Sequence, residues 1–190
     1  MHARGLLPNL LNQPAIGLLE CTGISRGMTT CDAVVKQARV TLLQSHPIDP
    51  GRYIVLFAGS VAEVEEGLEA GEHTADDQLL DKLFLPQAHN AVVPSIRGAL
   101  PLPDIEALGI VETHTVAGAI VGLDAALKTA QVRAVEVRLG TGIHGKGYFV
   151  VTGALHDVEA GLEAAVDLVG AETMTEIIPS PHPDFLKGSF

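Results

Sequence analysis

Apolar and polar positions along this chain switch between a strand period and a helix period, and the same order of switches occurs twice. Ala15–Glu20 is a short apolar run that predicts a buried strand. Ile24, Met28, Cys31, Val34 and Val35 then fall at helical spacing, predicting a helix over Ile24–Ala38. Val40–Ser45 reads as a second strand, and Pro47, Asp49, Pro50 and Gly51 as the turn after it. Tyr53–Ala58 is enriched in β-branched and aromatic residues, as a third strand should be. Ser60 is a natural N-cap with Glu63 three residues on, so a helix is expected over Val61–Ala70, stopping near Gly71. Leu79–Leu85 closes the series as a fourth strand.

The second half repeats the first. A shift of 92 lays Ala15, Gly17, Glu20, Asp32, Ala33, Lys36, Ala38 and Val40 on identical residues from Ala107 to Val132. A shift of 94 then aligns Gly51, Gly59 and the run Val64–Ala70 with Gly145, Gly153 and Val158–Ala164. Residue types held in order through two whole domains mark a duplication. The second set of elements is expected at Ala107–Glu112, Val116–Ala130, Val132–Arg138, Lys146–Thr152, Leu155–Val169 and Glu172–Ile178. Each half therefore reads β-α-β-β-α-β, an α+β unit of ferredoxin-like style with helices on one face of an antiparallel sheet. The organisation expected is an N-terminal extension (1–14), a first domain (15–92), a Pro- and Gly-bearing linker (93–106), a second domain (107–184) and a C-terminal tail (185–190).

Composition narrows the partners. Apolar residues make up 47% of the chain, but aromatics only 4% and Trp is absent, so the core must be built of small side chains. Each of these buries little area, which points to subunit contacts as a further source of stability. A net charge of −11 argues against nucleic acid, and no basic run is present. The apolar stretch near the N-terminus is broken by Pro8 and Asn9, too short for a signal core or a membrane span, so a soluble, cytoplasmic protein is expected. Cys21 and Cys31 sit in no metal or redox spacing and read as apolar thiols.

Catalytic patterns are missing. The Gly-rich stretch Gly140–Gly147 has Gly147 where a phosphate-binding loop needs a hydroxyl, and it joins two strands rather than opening a helix. Backbone turns needing positive φ explain its glycines. The eight histidines form no HxxxH or HExxH pair, and there is neither a G-x-S-x-G nor a Cys with a matched His motif. Glu20 and Glu112 are repeat-equivalent, and the reading for both is a carboxylate accepting backbone or helix-terminus hydrogen bonds. Lys36 and Lys128 lie near helix C-termini, where a cation complements the dipole. His89 and His182, each just after a last strand, read as structural or interfacial. No enzyme is expected.

The segments ALGIVE, DAALKTA and TGALHDVEA, with AIGLLE, DAVVKQA and AGSVAEVEEGLEAG in the first half and the ending LDKLFLPQAHNAVVP, resemble the tandem-domain shell proteins of bacterial microcompartments, near the propanediol-utilisation type. The element order matches the non-permuted form. The resemblance implies a structural role, with a homotrimer forming a flat pseudo-hexameric tile that meets other shell proteins edge to edge. It implies a central pore for small metabolites lined by Asp49, Pro50 and Gly51 from one half and Ile143, His144 and Gly145 from the other. Histidine titrates near neutrality, so pore charge is expected to vary with pH. Tile-edge contacts map to Lys36, Lys128, Gln87, His89, Ser180 and His182; Gln87 and Ser180 stand where the family commonly has Arg, which removes a bidentate donor. Some tandem members hold an iron–sulfur cluster through a Cys in the first pore loop. Asp49 occupies that place, so no cofactor and no metal are expected. The alternatives are an electron-carrying or metal-binding shell member and a tandem domain sensing a small ligand.

Overall fold

The computed structural model describes residues 14–170 and 172–189. The expected N-terminal extension lies, but for Pro14, outside the described residues. The chain divides into two compact units between Val93 and Pro94. The first carries β1 (Ala15–Cys21), α1 (Ile24–Gln37), β2 (Thr41–Ile48), β3 (Arg52–Gly59), α2 (Val61–Ala75) and β4 (Leu79–Leu85), with a 3-10 turn at Asp76–Gln78 before β4. A short helix α3 (Val92–Ile96) follows, beginning on the last residue of the expected first domain and running into the stretch read as linker. The second unit carries β5 (Ala107–Thr113), α4 (Val116–Thr129), β6 (Arg133–Leu139), β7 (Gly147–Gly153), α5 (Leu155–Val169), β8 (Met174–Ile178) and α6 (Pro183–Ser189).

Each unit is a four-stranded antiparallel sheet, ordered β2-β3-β1-β4 in the first and β6-β7-β5-β8 in the second. The α+β class expected from the repeat is the class observed. The central strands explain the continuous apolar runs of the sequence, because every residue of β1 is buried and so are Tyr53–Ala58 of β3. Leu19, Val55 and Phe57 point to the helix side, where Val34 of α1 and Val64 and Leu68 of α2 meet them. Ile16, Leu18, Ile54 and Leu56, on the other side of the pleat, are buried as well.

Two boundaries differ from the periodic reading by more than two residues. Helix α2 does not stop near Gly71 but runs to Ala75. A Cβ on Gly71 would lie 2.1 Å from Leu19 Cδ1 and 2.9 Å from Val34 Cγ2, so this glycine is a close crossing and not a helix end. Strand β2 runs through Pro47 to Ile48, which shortens the turn to Asp49–Gly51. Pro47 is tolerated because β2 is an edge strand paired only with β3. Among the described residues, no helix is long and apolar enough to cross a membrane.

Candidate functional site

Each unit presents one hairpin between its second and third strands. The first is a three-residue connection, Asp49-Pro50-Gly51, with a cis Asp49–Pro50 peptide. It closes through the Gly51 N–H donating to Ile48 O at 3.0 Å, and Gly51 sits at φ 115°, where only glycine is at ease. The second connection is longer, Gly140–Lys146. Gly140, Gly142, His144 and Gly145 all have positive φ, and Gly140 N–H donates to Lys146 O at 2.8 Å. The glycines thus serve the turn. His144, at φ 60°, is held in the left-handed region with its side chain exposed at the loop tip. Pro50 and Gly51 are exposed, Asp49 and Ile143 half-buried, and Gly145 buried.

An ion pair braces the foot of each hairpin. Arg52 Nη1 donates to Glu20 Oε1 at 2.9 Å, and the repeat-equivalent Lys146 Nζ donates to Glu112 Oε1. The two carboxylates therefore meet side-chain cations, and not the backbone or helix-terminus donors expected from sequence. The signal was present, since the shift of 94 lays Arg52 on Lys146. The pairs differ in burial. Glu20 is 0% exposed, whereas Glu112 and Lys146 are each 41% exposed. Burial raises the Glu20 pKa above the ordinary carboxylate value, with Arg52 opposing the shift, and Oε2 of Glu20 has no hydrogen-bond partner among the described residues. Beside the second pair, Glu136 accepts from Arg138 Nε at 2.7 Å and from the Tyr148 hydroxyl at 3.0 Å; burial and this hydrogen bond push the Tyr148 pKa up.

The remaining candidate residues lie at the other end of each sheet. Tyr53, next to the first hairpin, pairs with Cys21 at the end of β1, whereas Leu85 pairs with Ile16 at its start. Gln87 and His89 follow Leu85, and Lys36 sits in the last turn of α1, which runs back from the hairpin end. The same order places Lys128, Ser180 and His182 away from Gly140–Lys146. Lys36 pairs with Asp32 and Lys128 with Asp124, both at 2.6 Å. Gln87 and Ser180 are exposed. His89 and His182 share a backbone-capping role, for each accepts through Nδ1 from the N–H two residues on, Ala91 and Asp184, at 3.2 Å. Cys21 is buried, which raises its thiol pKa, and Cys31 is partly buried. Among the described residues, no group of three or more His, Cys, Asp or Glu is placed to hold a metal ion.

Two like domains in tandem, each with a hairpin at one end and a Lys/His set at the other, define a class, and comparison identifies it. The BMC domain model matches residues 15–88 and again 107–181, and the chain belongs to the BMC-domain family of bacterial microcompartment shell proteins, as a tandem, non-permuted member. Within that family it is similar to the bacterial microcompartment shell protein PduT of Citrobacter freundii, at 39% identity over 88% of this chain and 93% of that protein. The carboxysome assembly protein CcmO of Synechococcus elongatus is 26% identical over 92% of this chain and 68% of its own length. A microcompartment protein from Desulfitobacterium hafniense superposes with a TM-score of 0.87 at 43% identity, covering 93% of this chain and 99% of that one. The role of this chain is structural, that of a shell component.

Proposed function

We propose that three copies of this chain close head to tail into a flat pseudo-hexameric ring, with the hairpins around a central pore and the Lys and His ends facing neighbouring tiles. The observation that carries this reading is a difference between equivalent helices. Helix α1 exposes Ile24, Met28 and Val35 at 39%, 53% and 41%. The equivalent residues of α4, Val116, Ile120 and Leu127, are buried at 0%, 0% and 7%. The apolar face that α1 leaves exposed calls for a partner surface. A heterologous contact that closes supplies it in every copy at once.

In that ring, three Asp49 and three His144 border the pore, an opening suited to small polar metabolites. Lys36 and Lys128, with Gln87, His89, Ser180 and His182, meet the edges of other shell proteins. The assembly acts inside the cell as part of a microcompartment wall and carries out no chemistry of its own.

Light scattering tests the ring. The intact chain should have three times the chain mass and, when concentrated, form flat layers in electron microscopy. Met28→Asp should reduce the species to single chains while circular dichroism stays unchanged. A chain that is monomeric or dimeric at every concentration overturns the ring. Metabolite flux through assembled shells tests the pore: His144→Ala and Asp49→Ala should each change it, and unchanged flux in both removes the pore role.

A further inference from the structure

Between α2 and the edge strand β4 the first unit has an open groove of about 410 Å³. Buried Leu68 and Phe84, which is 38% exposed, supply its apolar lining. Glu65, Glu69 and Glu72 line the helix side and Lys82 the strand side. Lys82 Nζ is held by Glu72 Oε2 at 2.8 Å, whereas Glu65 and Glu69 are exposed and form no ion pair among the described residues. The groove is thus apolar at its centre and acidic along its rim. Its strand side does not offer a free row of donors to a further strand, because the Lys82 N–H donates to Asp81 Oδ1 at 2.8 Å.

The chain enters the fold at one end of this groove. The Ala88 N–H donates to Pro14 O at 3.0 Å, Ile16 pairs with Leu85, and Gly17 pairs with Phe84. A Cβ on Gly17 would lie 3.0 Å from Val64 Cγ1, so the start of α2 passes over the same point. The sequence before Pro14 is MHARGLLPNLLNQ. It carries Leu6, Leu7, Leu10 and Leu11, with His2 and Arg4 and no carboxylate side chain. Thirteen residues reach about 20 Å even at the rise of a helix, and α2 from Glu65 to Glu72 covers only about 10 Å. The second unit lacks this combination. Half-buried Ile177 stands opposite Gly109 where Phe84 stands opposite Gly17, Val166 replaces Glu72, and the approach to β5 carries Asp104 and Glu106.

We propose that the groove between α2 and β4 is the docking site of the chain's own N-terminal segment, its leucines meeting Phe84 and Leu68 and its Arg4 meeting the Glu65–Glu69 rim. The inference does not depend on the ring. Attachment at Pro14 holds the segment at the groove at an effective concentration of the order of mM, so weak contacts suffice to keep it there. Covering Phe84 supplies the attraction, and the unpaired glutamates select a segment that brings a cation and no acid.

Hydrogen exchange compares the intact chain with one beginning at Pro14, circular dichroism checking that the two share a fold. The amides of Lys82–Phe84 should exchange more slowly in the intact chain. A labelled peptide of residues 1–13 should bind the shortened chain, and should bind the intact chain at least about tenfold more weakly because the groove is already filled. Glu65→Lys with Glu69→Lys, both on exposed positions, should weaken that peptide on the shortened chain by about tenfold, and an Arg4→Glu peptide should bind the reversed chain better than the natural peptide does. Equal exchange in the two chains overturns the docking. So does a peptide that binds intact and shortened chains alike, or one indifferent to the charge reversal. Protection in the intact chain that grows with protein concentration overturns the choice of occupant, since the segment then comes from a second copy.

Discussion

Where helix α1 crosses strand β3, the first domain supplies Gly27 from the helix and Tyr53 from the strand. At the same crossing the second domain supplies Ala119 and Gly147. A Cβ on Gly27 would lie 2.3 Å from Tyr53 Cβ, and one on Gly147 would lie 2.6 Å from Ala119 Cβ. The glycine has changed sides, and each domain keeps one backbone bare so that the other can carry a side chain. What the two crossings share is one backbone without a Cβ, not a residue type at either position.

The largest effect expected is therefore at this contact. Gly27→Ala should destabilise the first domain by about 2–3 kcal/mol, since neither the helix nor the Tyr53 Cβ can move away cheaply. In a Tyr53→Gly background the same Gly27→Ala change should cost little, because the pair then matches Ala119–Gly147. Urea unfolding of the four chains of this double-mutant cycle measures the coupling. Additive costs would show that the exchange between domains is incidental.

The same crossings show what the sequence makes legible. The strand and helix order could be read because period-2 and period-3.6 patterns depend on local geometry, and the repeat doubled the signal. Gly71 was misread because a glycine that ends a helix and one that admits Leu19 look alike in a single sequence. The candidate hairpins were placed by their Pro and Gly residues, yet the braces at their feet needed the alignment to be carried to Arg52 and Lys146. The helices α3 and α6 were hidden by their shortness, and α3 also by Pro94 within it and by Gly98 and Pro101 after it. Burial differences between equivalent residues, such as Met28 against Ile120, depend on what covers each face, and local pattern carries none of that.

The equivalent ion pairs sharpen the comparison by pH. The folded-state pKa of Glu20 is raised, chiefly by burial. The folded chain thus holds this proton more tightly than the unfolded chain. The resulting stability is fully present below the unfolded value of about 4.3 and is lost as pH rises through the folded value. Glu20→Gln should remove that slope, leaving the first domain between unchanged and about 1 kcal/mol more stable at neutral pH. Glu112→Gln, on a pair that is 41% exposed on both sides, should shift stability by less than about 0.5 kcal/mol at any pH. Unfolding at pH 4, 5.5 and 7 compares them. A Glu20→Gln chain that parallels the wild type throughout would contradict the assignment of the burial cost to this carboxyl.

The last contrast concerns the helix starts, where each domain caps one of its two long helices and not the same one. In the first, Ser60 forms a full capping box on α2, its Oγ accepting from Glu63 N and Glu63 Oε2 accepting from Ser60 N at 2.8 Å, while Gly23 opens α1 with no side-chain cap. In the second, Thr115 caps α4 through Gly118 N at 3.0 Å, and Ala154 opens α5 with none. Asp157, at the position of Glu63, accepts from Gln131 N instead, so it serves the β6 approach and not its own helix. Ala154→Ser should therefore add about 0.5–1 kcal/mol to the second domain, and Ser60→Ala should remove about 1 kcal/mol from the first. Urea midpoints read both. If Ala154→Ser gains nothing, the Asp157–Gln131 bond has already fixed the start of α5, and the two domains differ in how they begin that helix, not in how well.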